Sequence, residues 1–296
     1  MNSLEYFHDA MATNFSLKIA GIESSVSEHV AGLCFQRLDE LEMKLSRFVP
    51  DSDVSRINRM KSGEEIMLEE EVYDCLRLAI EVSLLTNGYF DVGTAELSDI
   101  YRGYQNGILN EFEYSNAIST AMSEKAEGSL YLNPNVAMIH CVADGLKVDL
   151  GGIGKGYALD LLKEYCLENE FENFSFNAGG STVLVCEETP TKFKLSAKNE
   201  QIDIRIAHAS VSSSGTGQQG NHIFNPATGE NEERIYDRVW VCSPQAGYSD
   251  AFATAFFSMQ EREIQEVSQD VEEINWVAVS SDGTIKFIYK KEKELI

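Results

Sequence analysis

Apolar residues recur at helical spacing through Val30, Leu33, Cys34, Leu38, Leu41 and Leu45, and again through Val72, Cys75, Leu76, Ala79 and Ile80. The first stripe predicts a helix ending near Leu45; the second predicts one from about Glu70 to Leu85, with the breaker Asn87-Gly88 just beyond it. A polar stretch from Asn110 to Glu127 reads as a further helix, and Asn14 to Ala20 as a first strand. From Ser129 onward the texture changes to short β-rich runs at 130–132, 136–142, 146–150, 174–177, 182–186 and 192–196,. A helix from Lys155 to Asn169 interrupts them, and another starts near Ser249, before two last strands at Asn275–Val279 and Thr284–Tyr289. Closely spaced strands pair antiparallel, so the pattern predicts an α+β fold, largely antiparallel sheets with packed helices, rather than a regular βαβ array. No composition shift marks a linker. Residues 1–296 read as a single domain, or as two intimately packed lobes.

A chain of 296 residues can bury roughly three quarters of its unfolded surface, enough for a substantial core,. Its charge changes the picture more: 24 basic against 48 acidic residues leave a net charge of -24. A polyanion would be repelled, which excludes nucleic acid as a partner and disfavours anionic membranes. A phosphate-bearing ligand would then need a local metal or a backbone cradle. No stretch approaches the ~18 apolar residues of a membrane-spanning helix, so no membrane insertion is expected. The first residues lack the basic start and apolar run of a secretory signal. The six cysteines are scattered without a CxxC pair. They read as reduced thiols, and the expected location is cytoplasmic.

Three segments are candidates for chemistry. In Asp149-Leu150-Gly151-Gly152-Ile153-Gly154-Lys155-Gly156 a strand runs into a glycine-rich turn before a helix. Glycines let backbone approach a ligand and a helix N-terminus offers N–H donors to anions, so this is either a phosphate cradle or merely a tight turn. It matches neither the Walker nor the GxGxxG spacing. In Ser249-Asp250-Ala251-Phe252-Ala253-Thr254, Ser249 is a candidate helix cap. Asp250 and Thr254 are i and i+4, roughly 5–6 Å apart at Cβ. A carboxylate and a hydroxyl on one face suit magnesium; alternatively Thr254 bonds back to the Asp250 carbonyl. The surrounding alanines and phenylalanines imply burial, and with no cationic neighbour evident in sequence a buried carboxylate there favours the metal. Third, Ser212-Ser213-Ser214-Gly215 precedes His222 and the turn-forming Asn225-Pro226-Ala227-Thr228-Gly229. His222 is either a proton acceptor, a hydrogen-bond donor or a structural histidine, and nothing near it has zinc-ligand spacing.

Earlier in the chain, Ser46 to Asn58, with Asp51 to Asp53 as candidate caps, and Thr86-Asn87-Gly88-Tyr89-Phe90-Asp91 look like loop architecture. Taken in order with Met11-Ala12-Thr13, Asp149 to Asp160, Asn177-Ala178-Gly179-Gly180, Ser214-Gly215, His222 to Gly229 and Asp250 to Thr254, they resemble the ApbE family of FAD:protein FMN transferases. The resemblance runs from about Met11 to Ile288. It implies an ApbE-like (T-fold-like) architecture and a reaction in which a Thr or Ser hydroxyl of an acceptor flavoprotein attacks the FMN-side phosphorus of FAD, releasing AMP.

The same resemblance implies Mg2+ held by the Gly154 carbonyl, the Asp250 carboxylate and the Thr254 hydroxyl, with Asp250, Lys155 and His222 as the catalytic set. Gly151, Gly152, Lys155 and Gly179 would border the FAD, and Ser214 and His222 would lie near its phosphates or the incoming hydroxyl. Met11, Phe48 and Asp91 would belong to the adenine and isoalloxazine surroundings. The family usually has Gly where this chain has Ala12, Ala where it has Gly154, an acidic or amide residue where it has Ser181, and often Asp where it has Asn225. Two alternative functions remain on this reading: a metal-dependent FAD pyrophosphatase giving FMN and AMP, and a protein that holds FAD without turnover.

Overall fold

The computed structural model describes residues 3–215, 226, 228, 229 and 235–291. In chain order its elements are β1 (Ser3–Ala10), β2 (Thr13–Ala20), α1 (Ser24–Leu45), α2 (Asp53–Arg59), β3 (Glu65–Met67), α3 (Glu70–Leu85), α4 (Ala95–Gln105) and α5 (Glu111–Glu127). Then come β4 (Ser129–Leu132), β5 (Met138–Ala143), α6 (Gly154–Glu168), β6 (Phe174–Ala178), β7 (Thr182–Cys186), β8 (Thr191–Ser196), β9 (Gln201–Ile206) and β10 (Ala209–Gly215). The last are β11 (Arg238–Ser243), α7 (Ala246–Phe256), α8 (Glu261–Asp270), β12 (Trp276–Ser281) and β13 (Thr284–Lys290). The chain falls into two compact units: residues 1–42, 153–216 and 234–296 in one, and 43–152 with 217–233 in the other.

The first unit is built on an eight-stranded sheet in the order β1-β2-β6-β7-β10-β11-β12-β13, antiparallel at every step. Strand residues alternate between faces. On β10 that period sends Ala209 and Val211 to one side, into a core with Leu195, Ile204 and Ile206 of the separate β8–β9 hairpin and with Trp240 and Trp276. It sends Ser210 and Ser212 to the other side, where they meet Ser249 of α7. α7 is buried along nearly its whole length, with Phe252 and Phe256 fully sealed.

The second unit carries the small β3-β5-β4 sheet and helices α2 to α5. Helix α3 stops where Asn87 and Gly88 take left-handed backbone (φ 50° and 83°). Leu97 and Tyr101 of α4 pack on Ile118 and Ala121 of α5, whose start is closed by a capping box between Asn110 and Glu113,.

Several sequence expectations need correction. β1 carries no strand signal in the sequence, because as an edge strand it is mostly exposed and shows little apolar alternation. The elements α4, α8, β9, β10 and β11 likewise add to those the sequence pattern predicts. Residues 146–150 form no strand: their backbone is satisfied singly, Asp149 N–H on Val92 O (2.7 Å) and Val148 N–H on Asn58 Oδ1 (2.7 Å), rather than by a ladder. The cap of α2 is Ser52, whose Oγ accepts from Ser55 N–H at 2.9 Å; the flanking Asp53 instead pairs with Arg56. α7 begins at Ala246, so Ser249 lies inside its first turn and is not its cap.

Candidate functional site

In the first unit α6 and α7 lie against each other at a glycine. A Cβ added at Gly156 would sit 2.1 Å from the Ala246 carbonyl oxygen and 2.8 Å from Asp250 Cβ, so only glycine permits this approach. Two polar links use the contact. Gly156 N–H donates to Asp250 Oδ2 at 3.1 Å. One turn on, Asp160 of α6 accepts from the Ala246 and Gly247 N–H groups, each at 2.7 Å, and so caps α7 from a neighbouring helix,. Burial pushes the Asp160 carboxyl up to about 6, against the opposing pull of the two N–H donors,.

Gly154 opens α6 two residues before the Gly156 contact, so the start of α6 lies against Asp250. Asp250 is 5% exposed. Contrary to the expectation from sequence, it has a cationic neighbour: Lys155 Nζ stands 3.6 Å from Oδ2, and Thr182 Oγ1 donates to Oδ1 at 3.3 Å. Thr254 Oγ1 bonds back to the Asp250 carbonyl at 3.1 Å and lies 3.5 Å from Ser214 Oγ on β10. Lys155, Ser214, Asp250 and Thr254 thus belong to one cluster of oxygen atoms and one ammonium, and Gly154 immediately precedes Lys155 in the chain.

Gly179 and Met11 lie elsewhere in this unit, Gly179 against Thr13 and Asn14 of β2. Met11 and Ala12 form the two-residue β1–β2 turn, both with positive φ (49° and 58°). Hairpins of this type favour Gly or Asn there, so Ala12 holds a strained backbone,. Gly179 (φ 60°) bonds to Asn14 O at 2.9 Å, and a Cβ on it would lie 2.0 Å from Thr13 Oγ1.

The second unit holds the rest. The side chain of Arg47 is 8% exposed and bridges Asp149 (2.7 Å) and Asp99 (2.7 Å). Asp149 Oδ1 in turn accepts from Gly151 N–H at 2.8 Å and so shapes the turn that leads to Gly152. Phe48 is 64% exposed, with the Arg47 and Arg102 guanidiniums 4.3 and 5.3 Å from its ring centroid. Asp91 accepts from Gly93 N–H and pairs with Lys125 at 2.7 Å; the same ammonium bonds Pro226 O at 2.8 Å. His222 lies outside the described residues.

Sequence reasoning missed Asp160, Thr182 and Arg47. Asp160 carried one usable signal, its helical spacing from Gly156 on the α7 side; Thr182 and Arg47 carried none, because the partner of Thr182 is 68 residues away and those of Arg47 are 52 and 102.

The donors gathered here, one carboxylate and two hydroxyls, are oxygen ligands of the kind Mg2+ accepts beside water and substrate phosphate,. Among the described residues no three His, Cys, Asp or Glu side chains converge on one point. Among the described residues no helix is long and apolar enough to cross a membrane.

The sequence model of the ApbE family matches residues 11–277. Among curated proteins, the FAD:protein FMN transferase of Buchnera aphidicola is 26% identical over 263 residues, covering 83% of this chain and 76% of that protein. The Salmonella typhimurium protein of the same name is 21% identical, covering 96% and 83%. Among solved structures, the flavin transferase ApbE from Vibrio cholerae superposes with a TM-score of 0.79 at 19% identity, covering 97% of this chain and 96% of its own. The Thermotoga maritima ApbE protein gives 0.78 at 22%, covering 97% of both.

Proposed function

The chain belongs to the ApbE family, and from that membership we propose that it is a Mg2+-dependent FAD:protein FMN transferase. An acceptor Thr or Ser Oγ attacks the FMN-side phosphorus of FAD. A new P–O bond forms, the pyrophosphate P–O bond breaks, AMP leaves with the electron pair, and the hydroxyl proton passes to a base or to water. The observation that carries this reading is the buried Asp250 carboxylate set against the start of α6, with the Lys155 ammonium and the Thr254 and Ser214 hydroxyls around it.

Gly154, Asp250 and Thr254 would hold the cation, and when bound it neutralises charge gathering on the phosphates. Lys155 adds a positive charge at the start of α6, whose first turn carries no acidic residue, favouring phosphate there. Gly151, Gly152 and Gly179 offer backbone without side-chain bulk to FAD. Met11, Phe48 and Asp91 are proposed for its two ring systems, and His222 for the phosphates or the incoming hydroxyl. The net charge of -24 favours an acceptor that does not present an acidic surface,. A cytoplasmic location is supported by six cysteines that are all buried and unbridged,.

Incubating the chain with FAD and Mg2+, with and without a flavinylatable acceptor, tests the reading. AMP formed together with an FMN-bearing acceptor is expected. AMP at the same rate without acceptor would replace transfer by hydrolysis, and FAD retained without AMP would leave binding alone. Asp250→Ala should abolish turnover while the fold persists.

A further inference from the structure

Beneath Asp250 lies a row of hydroxyls that the transfer reaction as described does not use. Thr182 on β7, Ser210 and Ser212 on β10 and Ser249 on α7 are all 0% exposed. Thr182 and Ser212 are register partners across the β7–β10 ladder. Thr182 Oγ1 donates to Asp250 Oδ1 at 3.3 Å and Ser212 Oγ donates to Thr182 Oγ1 at 3.1 Å. Ser210 Oγ donates to Ser243 O at 2.9 Å, while Ser249 Oγ lies 2.7 Å from Ser212 Oγ, 2.9 Å from Ser210 Oγ and 3.1 Å from Ala246 O, so that its one proton serves one of these three acceptors at a time,. Ser249 immediately precedes Asp250, so the links form a ring that leaves α7 through the carboxylate, crosses two strands, and returns to α7 one residue earlier.

A hydroxyl has one proton to give. Because Thr182 Oγ1 accepts from Ser212, its own proton is left for Asp250 Oδ1. With Gly156 N–H on Oδ2, both carboxylate oxygens are then held by donors from different elements, and the plane of the group is set. Core packing alone does not call for this chemistry. Sealed hydroxyls cost desolvation that their hydrogen bonds do little more than offset, and on the opposite face of the same strand Ala209 and Val211 fill the core with carbon. On β10 the two fully sealed hydroxyls, Ser210 and Ser212, both lie on the face beneath Asp250.

We propose that Thr182, backed by Ser212 and Ser249, is a positioning residue that fixes the Asp250 carboxylate for the divalent cation. The inference rests on the metal reading of the proposed function. Residues that orient a metal's ligand typically change affinity 10–100-fold when removed.

The test is Mn2+ titration of the full chain in the presence of FAD, read by electron paramagnetic resonance, with thermal unfolding and FAD affinity without metal measured alongside. Thr182→Val, which keeps shape and deletes the donor, should weaken Mn2+ binding about tenfold and leave metal-free FAD binding unchanged. Thr182→Ser should restore affinity close to that of the natural chain. Unchanged Mn2+ affinity in the valine variant, or a serine variant as weak as valine, overturns the proposal. If the valine variant does not fold, Ser212→Ala is scored the same way: weaker Mn2+ binding supports the role and unchanged affinity overturns it. A natural chain that takes no Mn2+ sinks the metal reading together with this one, whereas natural binding with no effect of either variant sinks this one alone.

Discussion

Replacing Gly156 by alanine tests whether the α6–α7 contact assembles the site. In an open helical position alanine is preferred over glycine by about 1 kcal/mol. Here the new Cβ would lie 2.1 Å from the Ala246 carbonyl oxygen, whereas ordinary contact begins at 3.4 Å, so the helices must part by about 1.3 Å. Overpacking against backbone costs roughly 2 kcal/mol. A separation of that size also carries the Gly156–Asp250 bond (3.1 Å) past hydrogen-bonding distance, and losing that charge-assisted bond costs about 2 kcal/mol. Net of the propensity gain, the variant should be destabilised by about 3 kcal/mol, a fall in melting temperature of about 6 °C for a chain of this size. Gly32 is the internal control. It lies inside α1, is exposed, and has nothing within 4 Å of an added Cβ, so Gly32→Ala should raise stability by about 1 kcal/mol. Thermal and urea unfolding followed by circular dichroism read both. A Gly156→Ala protein that melts at or above the natural chain would refute the close-contact argument.

Three further outcomes are expected. Asp160, raised from 3.8 to about 6 in the folded chain, binds more protons folded than unfolded between those values. Its contribution is therefore fully present below about pH 4 and is lost as pH rises through 6. Acidification from pH 7 to pH 4 should shift stability toward the natural chain over Asp160→Asn by at most about 3 kcal/mol, a ceiling because the residue is only partly sealed from solvent; equal pH profiles by urea titration would refute the shift. Arg47→Met leaves Asp149 and Asp99 without their shared cation and should cost about 2 kcal/mol while weakening FAD binding through the Gly151 turn, which fluorescence titration would show. Chelation with EDTA should stop AMP release in the transfer assay and Mg2+ or Mn2+ should restore it; full activity after chelation would contradict the proposed cation.

The parts of this protein legible from its residues alone are those set by short-range rules. The α3 boundaries follow from an apolar stripe closed by Asn87-Gly88, α6 from a glycine run into a helical stripe, and the antiparallel α+β class from many short strands. Asp250 and Thr254 were recognisable as a pair because helical geometry puts i and i+4 on one face. The elements that escaped notice failed for matching reasons. β1 is an exposed edge with little alternation, and the hydroxyl-rich β10 reads as loop composition because its serines face another polar row rather than water or core carbon. Only the tertiary structure brought Lys155 to Asp250, Asp160 to the start of α7, and Thr182 and Ser212 beneath the carboxylate. Each of those links joins residues 30 to 95 positions apart. Local periodicity decides which face of an element a side chain occupies, but which faces meet is decided by strand register and by how closely two helices can approach, here by the missing side chain of Gly156.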